Sequence, residues 1–444
     1  MIRKLILAAL YIFAVHYAYV SYISPTFEYA HYTYLPPGLV KLATTYFLTW
    51  LVVFAHRDTA HPSQAAAGLI YALCYVPIQL SLLFTVEREY WSILPAQLAL
   101  ASSMALIFVF ARSGPLPKPG EATEFKSLDL NLGLLTLAAI ILIVIVNQDH
   151  MRLVSFADVY ELRFESAAIQ SNPLIDYLTS WVAYCFISYF FARGLIHKKI
   201  LHLGLGLLGS MVLYMATGAK ASLLLLPMTI GVIAIWKTGP GFLSRTLLSL
   251  VALIYTLITL LPDEDIFLWA KSIILVRIIG SSGWVASKYF EYFDLNGFTY
   301  YTHIGPINAI FGSYPYGNYS LGQMIGIKYS GNAEANFNAS FWASDGFAAT
   351  GILGVLLITF PVIFILNLIN RFSVGFQNRF TVAWYTGFFV AMLNIPLSTS
   401  LLSGGGLIIL LLTRYSTRSK KLALVNQQES VIKSSDIHLI PSAL

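Results

Sequence analysis

The sequence predicts an all-α polytopic integral membrane protein with about twelve transmembrane helices and one large outer loop. Three observations predict it. Of its 444 residues, 57% are hydrophobic and 11% are charged, with a mean hydropathy of +0.71; a soluble domain carries roughly 25% charged residues. Apolar runs of about 17–22 residues recur, the length that crosses a bilayer core as a helix. The runs are unbroken, whereas a β-barrel would show short alternating segments. Helices also satisfy the backbone hydrogen bonds that lipid cannot.

In chain order the spans are expected at 5–24, 38–55, 64–84, 92–111, 129–147, 174–192, 200–217, 221–236, 246–261, 346–369, 380–396 and 400–413. The opening Met1-Ile2-Arg3-Lys4 before an apolar run looks like a signal peptide but lacks a small-residue cleavage site. It reads as a first transmembrane helix with a cytoplasmic N-terminus. The even connections then carry Arg57; Arg112, Lys118 and Lys126; Arg193, Lys198 and Lys199; Lys237 and Arg245; Arg371 and Arg379. With Arg3, Lys4 and the basic residues from Arg414 to Lys433, 18 of the 27 Lys and Arg lie on that side. The excess of Lys and Arg in cytoplasmic loops sets the orientation, and the same bias accounts for the +6 net charge without nucleic acid.

Four parts follow. Residues 1–261 hold spans one to nine, with an outer loop at 148–173. Residues 262–345 form the large outer loop, 346–413 hold the last three spans, and 414–444 form a polar cytoplasmic tail. A shorter outer loop, Ser24 to Tyr34, follows span one. A tight hairpin between spans seven and eight puts Thr217-Gly218-Ala219-Lys220 at the outer surface. A membrane protein with short connections elsewhere keeps an 84-residue loop where recognition or chemistry happens.

That loop opens with Pro262-Asp263-Glu264-Asp265. Its D-x-D triplet could hold a metal, but acidic residues ahead of an apolar run more often start a helix. Arg277 stands alone in Ile273–Gly280. It either snorkels to lipid phosphates or binds an anionic ligand with its fork of donors. Ser281-Ser282-Gly283-Trp284 is expected to break the helix. Beyond it lie Lys288, Tyr289, Glu291, Tyr292, Tyr300, Tyr301, His303 and Asp345. Of the 84 positions 18 are aromatic, 21% against 14% for the chain. They are read either as an interfacial belt or as a platform for sugar rings; interleaved asparagines such as Asn336 favour sugar. Arg163, among Asp158, Glu161 and Glu165, forms a surface ion-pair cluster or a second phosphate or sugar contact. Lys220 opposes a helix dipole, so it answers to an anion or snorkels. Cys74 and Cys185 both lie in apolar segments and make no metal site. No P-loop, Rossmann glycine pattern or G-x-S-x-G elbow is present.

Five stretches together resemble the O-antigen polymerases, the Wzy-like polymerases of oligosaccharide repeat units. They are Ser24-Pro25 with Phe27-Glu28-Tyr29; Asp158-Val159-Tyr160-Glu161-Leu162-Arg163; Thr217-Gly218-Ala219-Lys220-Ala221-Ser222; Tyr289-Phe290-Glu291-Tyr292-Phe293 with Tyr300; and Asn332-Ala333-Glu334 with Asn336, Gly346 and Gly351–Gly354. The resemblance implies a GT-C-like membrane glycosyltransferase in the bacterial inner membrane, active on its periplasmic face without a metal or other cofactor. Implied partners are undecaprenyl-diphosphate-linked oligosaccharide, membrane lipids, a Wzz-like chain-length regulator and a Wzx-like flippase. Arginines of the two large outer loops are functional in the family, and Arg163 and Arg277 match best. Some members repeat an arginine-to-glycine spacing; here the residue eleven after Arg277 is Lys288.

The expected reaction is attack of an acceptor sugar hydroxyl on the anomeric carbon of the lipid-linked chain, with undecaprenyl diphosphate leaving. Fixed cations stabilise the departing diphosphate: Arg277 first, then Arg163 and Lys220. The base is one of His303, Glu291, Glu161 and Asp345. Lys288, Tyr289, Tyr292, Tyr300, Tyr301 and Asn336 are expected to line the sugar site. The rivals are an O-antigen ligase on the same scaffold and a lipid-linked oligosaccharide flippase or transporter. Transporters often carry repeats and midplane charges; this chain keeps its charges at span ends.

Overall fold

A computed structural model describes residues 1–87, 89–115, 126–154, 162, 173–236, 241–262 and 264–417, and the described residues are helical with no strand. Eight helices are long and apolar enough to cross a membrane: α1 (Ile2–Ala30), α3 (Ser63–Thr85), α4 (Tyr90–Phe110), α5 (Leu128–Asn147), α6 (Pro173–His197), α7 (Ile200–Thr217), α9 (Phe242–Leu260) and α14 (Ile352–Gly375). Shorter apolar helices are α2 (Leu39–Ala55), α8 (Lys220–Ile235) and α17 (Gly406–Thr417). To these α15 (Asn378–Asn394) is added. A helix thus stands at each of the twelve expected positions, and eight of them meet the length and hydropathy needed to cross.

α3 is the axis of the bundle. In its apolar window 94% of residues are buried, against 22% for α5, so α5 turns most of its side chains outward. α1 packs on α9, and α14 packs on α4. α6 and α8 both pack on α15, and α7 packs on α6. Aromatic edges knit the α6–α15 contact: the Tyr189 and Trp384 rings lie 4.9 Å apart and T-shaped. At the start of α1, buried Lys4 Nζ reaches Asp58 Oδ2 at 3.1 Å and His56 Nδ1 at 2.9 Å, pinning the first helix to the α2–α3 connection. Charge at a helix end that is drawn inside must be paired in this way.

Three expected boundaries move. The first outer loop was placed at Ser24–Tyr34, yet helix continues to Ala30, with a π-type turn over Tyr19–Ile23 just ahead of Pro25. The tenth span begins at Ile352 rather than 346, since Gly351 takes φ +67°, ψ −144° and interrupts the chain. The last span is Gly406–Thr417 rather than 400–413. Ahead of it comes a short helix, α16 (Leu397–Leu401), and then a turn with Gly405 at φ +75°. The hairpin between α7 and α8 forms as expected, on Gly218 at φ +62°.

The largest correction concerns 262–345. It is mostly helix. One continuous helical stretch, α10, runs over 265–296 as Asp265–Leu275, a π-type turn Val276–Gly280, and Ser281–Asn296. Ser281–Trp284 does not break it. Gly283 instead lets α10 press on α3, where an added Cβ would lie 2.1 Å from Ser81 Oγ and 2.6 Å from the Pro77 carbonyl. Tertiary packing there outweighs the low helix preference of Ser and Gly. α11 (Gly305–Phe311) and α12 (Leu321–Ser330) follow, the second opened by a capping box of Ser320 and Gln323. A π-type turn Trp342–Phe347 and Ala348–Thr350, together α13, lead into α14.

Candidate active site

The return of the chain after α10 builds the site. Gly297 at φ +92° ends the helix, and the backbone amides of Thr299 and Tyr300 donate to the Ala348 and Ala349 carbonyls of α13 at 2.8 Å each. Tyr300 and Tyr301 then take φ +48° and +66°. Two consecutive bulky residues in the left-handed region store strain, which gathers at functional sites. The corner turns His303 inward toward Asp345 of α13.

Asp345 is wholly buried and held on several sides. Oδ2 accepts from the Leu397 amide at 2.5 Å and from Ser344 Oγ at 3.2 Å, and Oδ1 accepts from Ser398 Oγ at 3.1 Å. His303 Nε2 stands 3.6 Å from Oδ1, within ion-pair range, yet it makes no hydrogen bond and is enclosed. On its other side Nδ1 lies 2.8 Å from Thr299 Oγ1. The same Thr299 hydroxyl also lies 3.1 Å from the Ala348 carbonyl. Nε2 is thus the ring nitrogen that faces the fixed carboxylate. The Tyr289 hydroxyl is also buried with no partner and feels the Asp345 charge. Burial first, then Tyr314 and Asp345, push the Tyr289 phenol well above its usual range. Burial likewise raises Tyr301, against the hydrogen bond of Thr350.

A second group lies on α10. Lys288 Nζ pairs with Glu291 Oε2 at 2.9 Å, donates to the Thr85 carbonyl at 3.4 Å and lies 5.0 Å from the Tyr329 ring centre. Tyr292 is buried and packs on Tyr316, whose phenol burial pushes up to about 12. The aromatics of α10 from Trp284 to Phe293 are buried, whereas Tyr314, Tyr316 and Tyr329 are partly exposed.

Arg277 sits in the π-type turn, about eleven residues or roughly 16 Å along the axis from Lys288. It is exposed, and among the described residues it has no ion pair. Its charge reaches Tyr32, whose phenol burial raises while Ser281 and Arg277 oppose the shift. Tyr32 stacks on Trp284 at 5.5 Å, and Trp284 Nε1 donates to the His31 carbonyl at 2.7 Å. The first outer segment is thereby fastened to α10 beside Arg277. π-type turns recur at functional positions because one extra residue re-aims a side chain.

The remaining expected residues are dispersed. Tyr300 is 70% exposed, and Asn336 is exposed on the return strand of chain that lies over Gly322. Lys220 begins α8, half-buried, after the hairpin. Arg163 and Glu161 lie outside the described residues, as does Asp263 of the D-x-D triplet. Among the described residues no hydrogen bond or ion pair joins Arg277 to His303, Asp345, Lys288 or Glu291. Among the described residues no group of three His, Cys, Asp or Glu could hold a metal. Sequence reading missed Thr299, Ser398 and the Leu397 amide. Each is a small polar residue or a backbone group with no local pattern to mark it. Compared with known protein families, curated proteins and solved structures, this chain matches none.

Proposed function

We propose that this membrane protein is a glycosyltransferase that joins undecaprenyl-diphosphate-linked oligosaccharide units at the periplasmic face of a bacterial inner membrane. In this reading all twelve helices cross, both termini are cytoplasmic, and the 265–345 segment caps the outer end. The observation that carries it is the enclosed His303 Nε2, unbonded and 3.6 Å from the clamped Asp345. A neutral imidazole with a bare nitrogen is a proton acceptor. A carboxylate beside it stabilises the imidazolium once the proton arrives.

The chemistry follows. The acceptor hydroxyl enters between the strained Tyr300–Tyr301 corner and α13, and donates to His303 Nε2. Its oxygen attacks the anomeric carbon of the donor sugar, forming the new C–O bond. The bond from that carbon to the diphosphate breaks, and undecaprenyl diphosphate leaves with the electron pair. His303 holds the proton as a cation paired with Asp345. Arg277, exposed and unpaired among the described residues, receives the diphosphate charge through its fork of donors. Tyr289 offers a hydroxyl to the sugar.

The test is reconstitution of the purified protein with lipid-linked repeat units, wild type beside His303→Ala, read as a glycan ladder. A ladder from wild type that is lost in a folded His303→Ala supports the reading. Transfer only when lipid A core is supplied would make the protein a ligase, and absence of any transfer by wild type sinks the proposal.

A further inference from the structure

Away from the outer segment, one carboxylate is surrounded by more cations than it can neutralise. Asp129 opens α5. Its Oδ1 accepts from Tyr189 Oη at 2.5 Å and Arg193 Nε at 3.2 Å, and its Oδ2 accepts from Arg193 Nη2 at 3.1 Å. Lys199 Nζ stands 3.5 Å and His202 Nε2 3.8 Å from the same Oδ2. Arg193 and Asp129 cancel. Lys199 shares that one carboxylate with Arg193, so the group is net positive, and Lys198 stands beside it.

The surplus has unspent donors. Tyr189 and Arg193 donate to the two Asp129 oxygens, and Lys199, 3.5 Å from Oδ2, makes no hydrogen bond among the described residues. Its side chain is 38% exposed, whereas that of Arg193 is 3% exposed. His202 Nδ1 is buried without a partner. Lys198 is exposed at the left-handed corner between α6 and α7, at φ 55°. Lysines at the end of a membrane helix snorkel toward lipid phosphates, and each basic residue near an anionic surface adds to that attraction.

The surroundings say which anion. α5 and α7 pack against each other. Below the cations both turn large apolar side chains outward: Leu130 and Leu134 on α5, Leu201 and Leu208 on α7. A molecule with a phosphate head and hydrocarbon tails uses both features, and a free phosphate uses one. We infer that Lys198, Lys199 and His202 form a binding site for the phosphate headgroup of an anionic phospholipid, its acyl chains lying along the α5–α7 face. The Tyr189–Asp129–Arg193 unit is the rigid floor of the site. It holds α5 and α6 together, with the half-exposed Lys199 at its rim. The site is independent of the transfer chemistry assigned to the outer segment.

The experiment is native mass spectrometry of the full chain in a neutral detergent, titrated with phosphatidylglycerol or phosphatidylcholine. Wild type should hold its first phosphatidylglycerol on the order of tenfold more tightly than phosphatidylcholine. A Lys198→Gln, Lys199→Gln double variant should lose that preference with its melting temperature unchanged, because Asp129 and Arg193 are untouched. Equal retention of the two lipids by wild type, or a preference that survives in the double variant, overturns the inference. Displacement of phosphatidylglycerol by millimolar inorganic phosphate would also overturn it, by making the occupant a free ion.

Discussion

His303 Nε2 and Asp345 Oδ1 face each other at 3.6 Å with no hydrogen bond between them, while the Leu397 amide and the Ser344 and Ser398 hydroxyls donate to that carboxylate. The pair joins the corner after α10 to α13 and is the centre of the proposed site.

From this pair we expect Asp345→Asn to lower glycan transfer by about 10²–10⁴, the range of a general base and its support. Asparagine keeps the volume and a carbonyl acceptor for the Leu397 amide, so the fold should survive. The measurement is initial rate of ladder formation beside circular dichroism. Wild-type rates in a folded Asp345→Asn would remove His303 and Asp345 from the chemistry.

Arg277 tests the leaving-group side. Arg277→Ala should cost about a hundredfold or more in rate, and Arg277→Lys should restore only part, since an ammonium cannot offer the bidentate fork. An exposed side chain without an ion pair among the described residues contributes little to stability, so the melting temperature should stay put. If alanine and lysine behave alike at near wild-type rate, Arg277 only meets lipid.

Gly283 tests the α3–α10 contact. An added Cβ meets Ser81 Oγ at 2.1 Å and the Pro77 carbonyl at 2.6 Å, and the carbonyl cannot move aside. Gly283→Val should therefore destabilise by at least the 1–3 kcal/mol typical of overpacking, roughly. Gly297→Ala, where nothing lies within 4 Å but φ is +92°, should cost less, on the order of 1 kcal/mol. Thermal unfolding in detergent ranks the two, and the reverse order would refute the close approach.

His56 gives a pH dependence. Burial first, then Lys4, depress its folded pKa below the 6.5 of an ordinary histidine. The folded state thus favours neutral His56, and the unfolded chain binds the extra proton. Stability is full above pH 6.5 and falls as pH drops below it, by up to about 1.4 kcal/mol per unit. His56→Asn should flatten that slope in melting curves taken from pH 7 to 5. An unchanged slope would assign the acid sensitivity to other groups.

The sequence alone determined the membrane class. Long apolar runs and sparse charge force backbone bonding inward, and that argument needs no tertiary contact. Helices stand where the runs predict them, and the Thr217–Lys220 hairpin was readable because Gly218 alone suits a left-handed corner. His303, Asp345, Lys288 and Glu291 were named from their types, but 42 residues separate His303 from Asp345, and no spacing rule pairs them. Only the tertiary structure decided that His303 meets Asp345, that Tyr289 and Tyr292 are enclosed, and that 265–296 is one helix. The reason is physical. A helix over Ser281–Trp284 is unfavourable locally and forms because Gly283 lets α10 lie on α3. That close contact, made across some two hundred residues of chain, carries the rest of the segment to where the backbone of 299–300 can bond to α13 and turn His303 toward a carboxylate.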